Sequence, residues 1–196
     1  MKKWLLTISL FSIIFFAQSD VFSLSFKIGA KGGFGIHAVN VAQPGYEDNL
    51  TNAIVGGTYG GAIDIIFMDF GGLSFGVEFD FLFQRRGGEY ADGQEKIDYF
   101  GFPIIGKVYF MDILYGGVGV AYQKKLKSSH PGGSNVKEEN IEVLISVGVN
   151  FELINRVFFT AEIRASAGLL NYSTNPFDTL YTRSTELLFG VMFKAF

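Results

Sequence analysis

The sequence predicts an all-β fold in which eight antiparallel strands close into an up-and-down transmembrane β-barrel. Two patterns carry this prediction: apolar residues recur at every second position in one segment after another, and the connections between segments alternate between short and long. The composition agrees, since 25 Gly residues disfavour helices and 22 Phe residues favour strands.

The first residues predict a secretory signal peptide. Lys2 and Lys3 precede the apolar run 4–17, and Ala17 and Ser19 supply the small residues of a cleavage site. The alternative, a helical membrane anchor, needs about 20 apolar residues, and this run is shorter. We therefore expect a cleavable signal peptide at 1–19 and a barrel domain at 20–196.

Composition excludes several classes of function. The chain has no Cys, so it offers no lipidation site, no disulfide and no thiolate ligand. Its formal net charge is -3, and the only basic cluster is Lys124, Lys125 and Lys127, which is too small for a nucleic-acid partner. We expect no cofactor and no bound metal.

The predicted strands differ in how regular their alternation is. It is clearest in 24–38, 73–84, 141–151 and 157–169, where bulky apolar residues alternate with small or charged ones. Less regular segments complete the set of strands, at 58–67, 99–110, 114–123 and 186–196.

The predicted connections give the barrel a polarity. Those at 68–72, 111–113 and 152–156 are short. The others are longer and rich in Gly, Asn, Pro and charge, at 39–55, 87–96, 124–140 and 171–183. Because successive connections fall on opposite rims, all short turns and both termini lie at one end. Short periplasmic turns and long outer loops are typical of bacterial outer-membrane barrels.

The alternation alone does not decide which face meets lipid, since a water-soluble barrel with an apolar interior also alternates. Three features indicate that the apolar face points out of the barrel and contacts lipid. The segments are long enough for a tilted membrane strand of about 9 to 11 residues. The polar face is small and carries both signs of charge, as a narrow interior requires. Aromatic residues lie near the short turns, where an interfacial girdle is expected, at Phe67, Phe110, Tyr115, Phe151 and Phe159.

The inward face is then predicted to carry an interior network of acidic and basic side chains. An eight-stranded barrel is just wide enough for side chains to fill, so a structural network is expected. A narrow pore for ions or small solutes is the alternative. The residues of this predicted network are Lys27, Lys31, Asp64, Glu78, Asp80, Lys107, Glu142, Glu162, Arg164, Glu186 and Lys194.

Segment 99–110 alternates through a central Pro103 and ends in Lys107, Tyr109 and Phe110. It resembles a strand of the bacterial outer-membrane-protein β-barrel domain family, which includes small porin-like barrels of eight strands. The resemblance implies an outer-membrane location, contact with outer-membrane lipid, assembly by the barrel-insertion machinery, and outer loops that would contact an extracellular ligand. Phe196 departs from the pattern because it is out of step with the outward face of the last segment.

Catalysis is the less favoured interpretation. His37 and His130 fall at or in predicted outer loops, where a lipid-modifying hydrolase would need a serine and an acid beside them. A solvated loop histidine is the simpler explanation. The carboxylates Glu78 and Asp80 share one strand face and are expected to pair with basic residues. We therefore expect a structural or surface-interaction protein that is not an enzyme.

Overall fold

The structure, a computed structural model, is a closed barrel of antiparallel strands in chain order, β1-β2-β3-β4-β5-β6-β7-β8. It describes residues 23–42, 52–90, 93–128, 137–170 and 179–195. The strands are β1 (Ser25–Ala42), β2 (Asn52–Asp69), β3 (Leu73–Tyr90), β4 (Gly93–Phe110), β5 (Leu114–Ser128), β6 (Glu139–Ile154), β7 (Val157–Gly168) and β8 (Thr179–Lys194). Within those ranges, no helix is long and apolar enough to cross a membrane.

The barrel closes between β1 and β8. Their antiparallel register runs from Lys27↔Lys194 to Ala42↔Thr179. Each strand therefore has a hydrogen-bonded neighbour on both sides, so the described barrel has no open edge. The predicted fold class is confirmed.

The two faces of each strand differ in the predicted sense. On β6, Val147 is 68% exposed while the adjacent Ser146 is 3% exposed. On β3, Phe81 and Phe83 point outward, whereas Leu82 between them is fully buried. The bulky apolar residues thus cover the outside of the barrel, and the small and ionised residues fill the inside.

Tyr115 is an exception to the predicted aromatic girdle. The sequence pattern predicts that Tyr115 faces lipid near a short turn, but the residue lies inside the barrel and is 2% exposed. Its hydroxyl donates a hydrogen bond to a carboxylate oxygen of Glu162 at 2.9 Å. An aromatic ring with a polar hydroxyl is compatible with both the lipid interface and the barrel interior. The hydrogen bond to the buried carboxylate favours the interior.

The strands extend further at the outer end than predicted. The long connection expected at 87–96 is wrong, because β3 and β4 remain paired up to Tyr90↔Gly93. Its glycines and charges resemble a loop, yet residues beyond the apolar part of a barrel wall still pair through their backbones. The cross-strand ion pair of Arg85 with Asp98, at 2.8 Å, lies just below this segment.

The other connections keep the predicted polarity. Short turns join strands at 70–72, 111–113 and 155–156, and longer connections occupy 43–51, 129–138 and 169–178 at the opposite end. We call these the inner and outer ends of the barrel. The signal peptide and its cleavage site, His130 and Phe196 lie outside the described residues.

Pro103 lies within β4 and faces inward. The register between β3 and β4 has Phe79↔Ile104 on one side of it and Leu82↔Gly101 on the other, with a gap in between. Proline has no N–H to donate, which accounts for the gap. On the β5 side the pairing continues through Pro103↔Ala121.

The extended hairpin predicts a pattern of proteolysis. Lys137 is exposed and precedes β6, whereas Lys96 is exposed but lies in the β4 ladder. We expect trypsin to cleave the folded protein in detergent after Lys137 first and to spare Lys96, because cleavage requires local opening of the backbone. Mass spectrometry of the fragments checks this, with heat-unfolded protein as the control. Equal rates at the two lysines would contradict the extended hairpin.

Candidate functional site in the barrel interior

Six charged side chains meet at the middle of the barrel. They come from β1, β3, β4 and β7, at inward positions of the alternation, and none is more than 2% exposed at its side chain. We call this set the central cluster; it consists of Lys31, Glu78, Asp80, Lys107, Glu162 and Arg164.

The central cluster spans the full width of the bore. Arg164 on β7 and Asp80 on β3 belong to strands that are diametrically opposite in the barrel order, and their side chains form an ion pair at 2.6 Å. Lys31 contacts Glu78 at 2.6 Å and Glu162 at 2.9 Å. These contacts join opposite walls through charge-assisted hydrogen bonds.

The remaining members complete the pairing. Lys107 contacts the second oxygen of Glu78 at 2.6 Å. The Arg164 side chain also donates from Nε to Glu162 at 2.8 Å. Each carboxylate therefore faces at least one cation, which offsets the high cost of removing ionised groups from water. Removing one partner would leave the others charged and buried.

A second group of polar residues lies between the central cluster and the outer end. Arg86 contacts Glu142 at 2.6 Å and approaches Glu186 at 4.0 Å. Neutral groups donate the remaining hydrogen bonds to these two carboxylates, and they are Thr58, Gln84, Gln123, Asn140, Ser166 and Thr182. We call this the outer cluster. It is satisfied mainly by amides and hydroxyls rather than by cations.

Two tyrosines lie on the inner side of the central cluster. The rings of Tyr109 and Tyr115 are 5.5 Å apart, and Tyr109 donates a hydrogen bond to Asp64 at 2.7 Å. The Lys107 ammonium lies 4.0 Å from the centre of the Tyr115 ring. Position 148 must be Gly here, because a Cβ would collide with the Tyr115 ring. Aromatic rings thus separate the central cluster from the inner end.

The structure distributes the predicted interior residues over several environments. It brings six of them together in the central cluster and places Glu142 and Glu186 in the outer cluster. Asp64 bonds to Tyr109. Lys27 lies against the rings of Phe158 and Tyr109, with its ammonium 4.5 and 5.6 Å from their centres. Lys194 is half-buried at the inner end.

Sequence reasoning missed Arg86 and the two tyrosines. Arg86 continues the inward alternation of Leu82 and Gln84, so its position was readable once β3 was extended by one more repeat. The same alternation places both tyrosines inside. Tyr109 lies two residues after the predicted inward Lys107, and Tyr115 is on the face of β5 opposite to the exposed Val118 and Val120.

His37 is not a solvated loop residue, contrary to the prediction. It lies in β1, points inward and is 2% exposed. Gly35 and Gly56 leave room for its ring, since a Cβ at either position would lie 3.1 or 3.0 Å from it. Within the described part of the chain, neither ring nitrogen has a hydrogen-bond partner. The residue lies within the predicted segment 24–38 and continues the inward alternation of its odd-numbered residues, which places its ring in the bore.

The barrel is similar in fold to solved outer-membrane proteins. It matches the outer membrane protein OprG from Pseudomonas aeruginosa with a TM-score of 0.53 and 12% identity, over 89% of this chain and 97% of that one. It matches Neisserial surface protein A with a TM-score of 0.50 and 16% identity, over 87% of this chain and 98% of that one. The chain has the fold of a small outer-membrane β-barrel.

No protein-family model matches the sequence, and no curated protein matches it either. At such low identity, the likeness to other outer-membrane barrels concerns the fold alone. What this outer-membrane-type barrel does must therefore follow from its own residues.

The central cluster predicts the effect of removing one charge. Glu162→Gln leaves Lys31 and Arg164 short of a carboxylate partner, so we expect the free energy of unfolding to fall by about 3 kcal/mol or more. Urea titration in lipid vesicles measures it. The control is Glu138→Gln, whose side chain is exposed and whose effect should stay within about 0.5 kcal/mol. Similar effects for both variants would argue against the network.

Proposed function

We propose that this chain is an outer-membrane barrel with a closed interior and a structural or surface-interaction role. The observation that carries the proposal is the Arg164–Asp80 ion pair, which joins opposite walls at 2.6 Å in the middle of the bore. A barrel closed in this way offers partners its lipid-facing wall and its two ends. Its activity, in this proposal, lies at the outer end.

The exterior supports a membrane location. Large apolar side chains are exposed on every strand, including Ile28 at 48%, Val118 at 68% and Ile163 at 59%. So continuous an apolar surface is unfavourable in water and favourable in contact with lipid. Pairing of β1 with β8 also gives the backbone N–H and C=O groups of both strands hydrogen-bond partners. At an open strand edge in hydrocarbon these groups would remain unpaired.

The interior supports a closed bore. The central cluster has no exposed member, and buried apolar residues pack around it, with Ile105 fully buried and Leu188 1% exposed. An ion crossing this level would have to displace Lys31 or Arg164 from its carboxylates. That cost makes the pore alternative the weaker proposal.

The outer end supports a surface role. β3 and β4 continue as a paired hairpin beyond the lipid-facing rings of Phe83 and Phe100. Arg85, with 59% of its side chain exposed, and its partner Asp98 occupy this hairpin. A polar, rigid extension of this kind is suited to contact an extracellular ligand. We also propose that the barrel-assembly machinery inserts the chain into the outer membrane.

We propose no enzymatic activity for the chain. A hydrolase of the serine, histidine and acid type requires a histidine that bonds to both other groups. His37 is enclosed in the bore and lacks both bonds among the described residues. A lipid substrate would have no access to it from the membrane.

The proposed location predicts how the protein fractionates. The mature chain should begin at Asp20, remain with outer-membrane fragments after carbonate extraction, and require detergent for solubility. N-terminal sequencing and density-gradient fractionation measure these properties, and trypsin added to intact cells should reach Lys137. Folded protein free in buffer without detergent would contradict the location.

The closed bore predicts electrical silence. In planar lipid bilayers the wild-type barrel should give no stepwise current, because the central cluster blocks the path. The combined variant Lys31→Ser, Glu162→Ser, Arg164→Ser should open a conducting path if it folds, which its mobility on unheated gels reports. Steady channels from the wild type would overturn the closed bore and favour the pore.

A further inference from the structure

A cavity of about 410 Å³ opens at the inner end of the barrel, on the other side of Tyr109 from the central cluster. It lies between the short turns and the start of β1. Its wall includes Ser25, Lys27, Asn150 and Lys194. None of these residues takes part in the central or outer cluster, so the closed bore leaves the cavity without an assigned role.

Two cations face each other in this cavity. Lys27 on β1 and Lys194 on β8 are direct register partners, and both line the cavity. Like charges at directly opposed positions of an antiparallel pair repel each other. The ion pairs of the described residues include neither lysine, although every cation of the central cluster has a carboxylate within 3 Å.

No nearby carboxylate forms an ion pair with either lysine among the described residues. Asp112 also lines the cavity, and its charge attracts Lys27 from beyond ion-pair distance. Asp64 accepts a hydrogen bond from Tyr109 at 2.7 Å on one oxygen, and its other oxygen has no partner in the described structure. Asp69 accepts one from the backbone of Gly71 at 2.9 Å, in the β2–β3 turn. Glu152 accepts one from the backbone N–H of Arg156 at 3.1 Å, in the β6–β7 turn. These acids stabilise turns and an aromatic ring, and Lys27 rests on ring faces instead.

Two neutral groups in the wall are also unsatisfied. The Ser25 hydroxyl and the Asn150 carbonyl oxygen are buried without a hydrogen-bond partner in the described structure. Ser25 is 5% exposed and lies two residues before Lys27 on the same face of β1. Buried polar groups are seldom left unpaired, so the Ser25 hydroxyl donor beside two lysines without an ion pair indicates a missing acceptor. The Asn150 oxygen is itself an acceptor and requires a donor such as water.

We propose that the inner cavity binds a small molecule bearing an oxyanion, a carboxylate or phosphate group held between Lys27 and Lys194 with the Ser25 hydroxyl as a further donor. Ammonium and hydroxyl donors are suited to an oxyanion, and neither recognises an apolar ligand. The binding site faces the compartment of the short turns and does not depend on the role of the outer end.

The test exploits the repulsion between the two lysines. Folded protein in an uncharged detergent is unfolded with urea at constant ionic strength, with inorganic phosphate or succinate added in increasing amounts. A ligand that binds only the folded state shifts the unfolding midpoint upward. We expect this shift for wild type, and the anion that is more effective identifies the preferred group.

Lys194→Glu converts the repulsive pair into an ion pair. We expect it to raise the unfolding midpoint without any added anion and to abolish the response to phosphate and succinate. Lys127→Gln, an exposed lysine at the outer end, is the matched control and should respond like wild type. If Lys194→Glu does not fold, Lys194→Gln is titrated by calorimetry, and its affinity should be at least about tenfold weaker than that of wild type.

Two results would overturn the proposal. One is the absence of any response of the wild-type protein to both anions. The other is an equal response in wild type and in the Lys194 variant, which would mean that the anions act through ionic strength or at another surface.

Discussion

An ionised side chain inside a narrow barrel needs an opposite charge from another strand, and this requirement organises the protein. Lys31 reaches both Glu78 and Glu162, and Arg164 reaches Asp80, only when β1, β3 and β7 surround the same volume. The pairing therefore forms together with barrel closure. Because a half-made network would leave buried charges unpaired, we infer that closure and charge pairing are strongly cooperative.

The alternation of the sequence was sufficient to predict the architecture and the positions of most inward-facing charged residues. Period two assigns a face to each residue, and the inward positions of Glu78, Asp80 and Glu162 follow directly from it. It was insufficient at the outer end, where lipid no longer imposes an apolar residue at every second position. There the pairing of β3 with β4 continues through backbone hydrogen bonds, which explains the error at 87–96.

Composition also could not predict how the interior residues divide among themselves. The alternation treats Glu162 and Glu142 alike, yet one is held by lysine and arginine and the other largely by amides and hydroxyls. The difference depends on which strands lie opposite, and that depends on register. The lysines at the inner end illustrate the same limit, since only the register reveals that Lys27 and Lys194 are neighbours.

The gap at Pro103 interrupts the β3–β4 ladder between Phe79↔Ile104 and Leu82↔Gly101, and side chains cover both faces of the wall there. On the lipid side, the rings of Phe81 and Phe102 cover it at 5.0 Å, and on the inside Asp80 is tied across the bore to Arg164. Backbone amides beside this gap should exchange hydrogen faster than those of the paired residues on either side of it. Local opening of the wall would therefore begin at the proline.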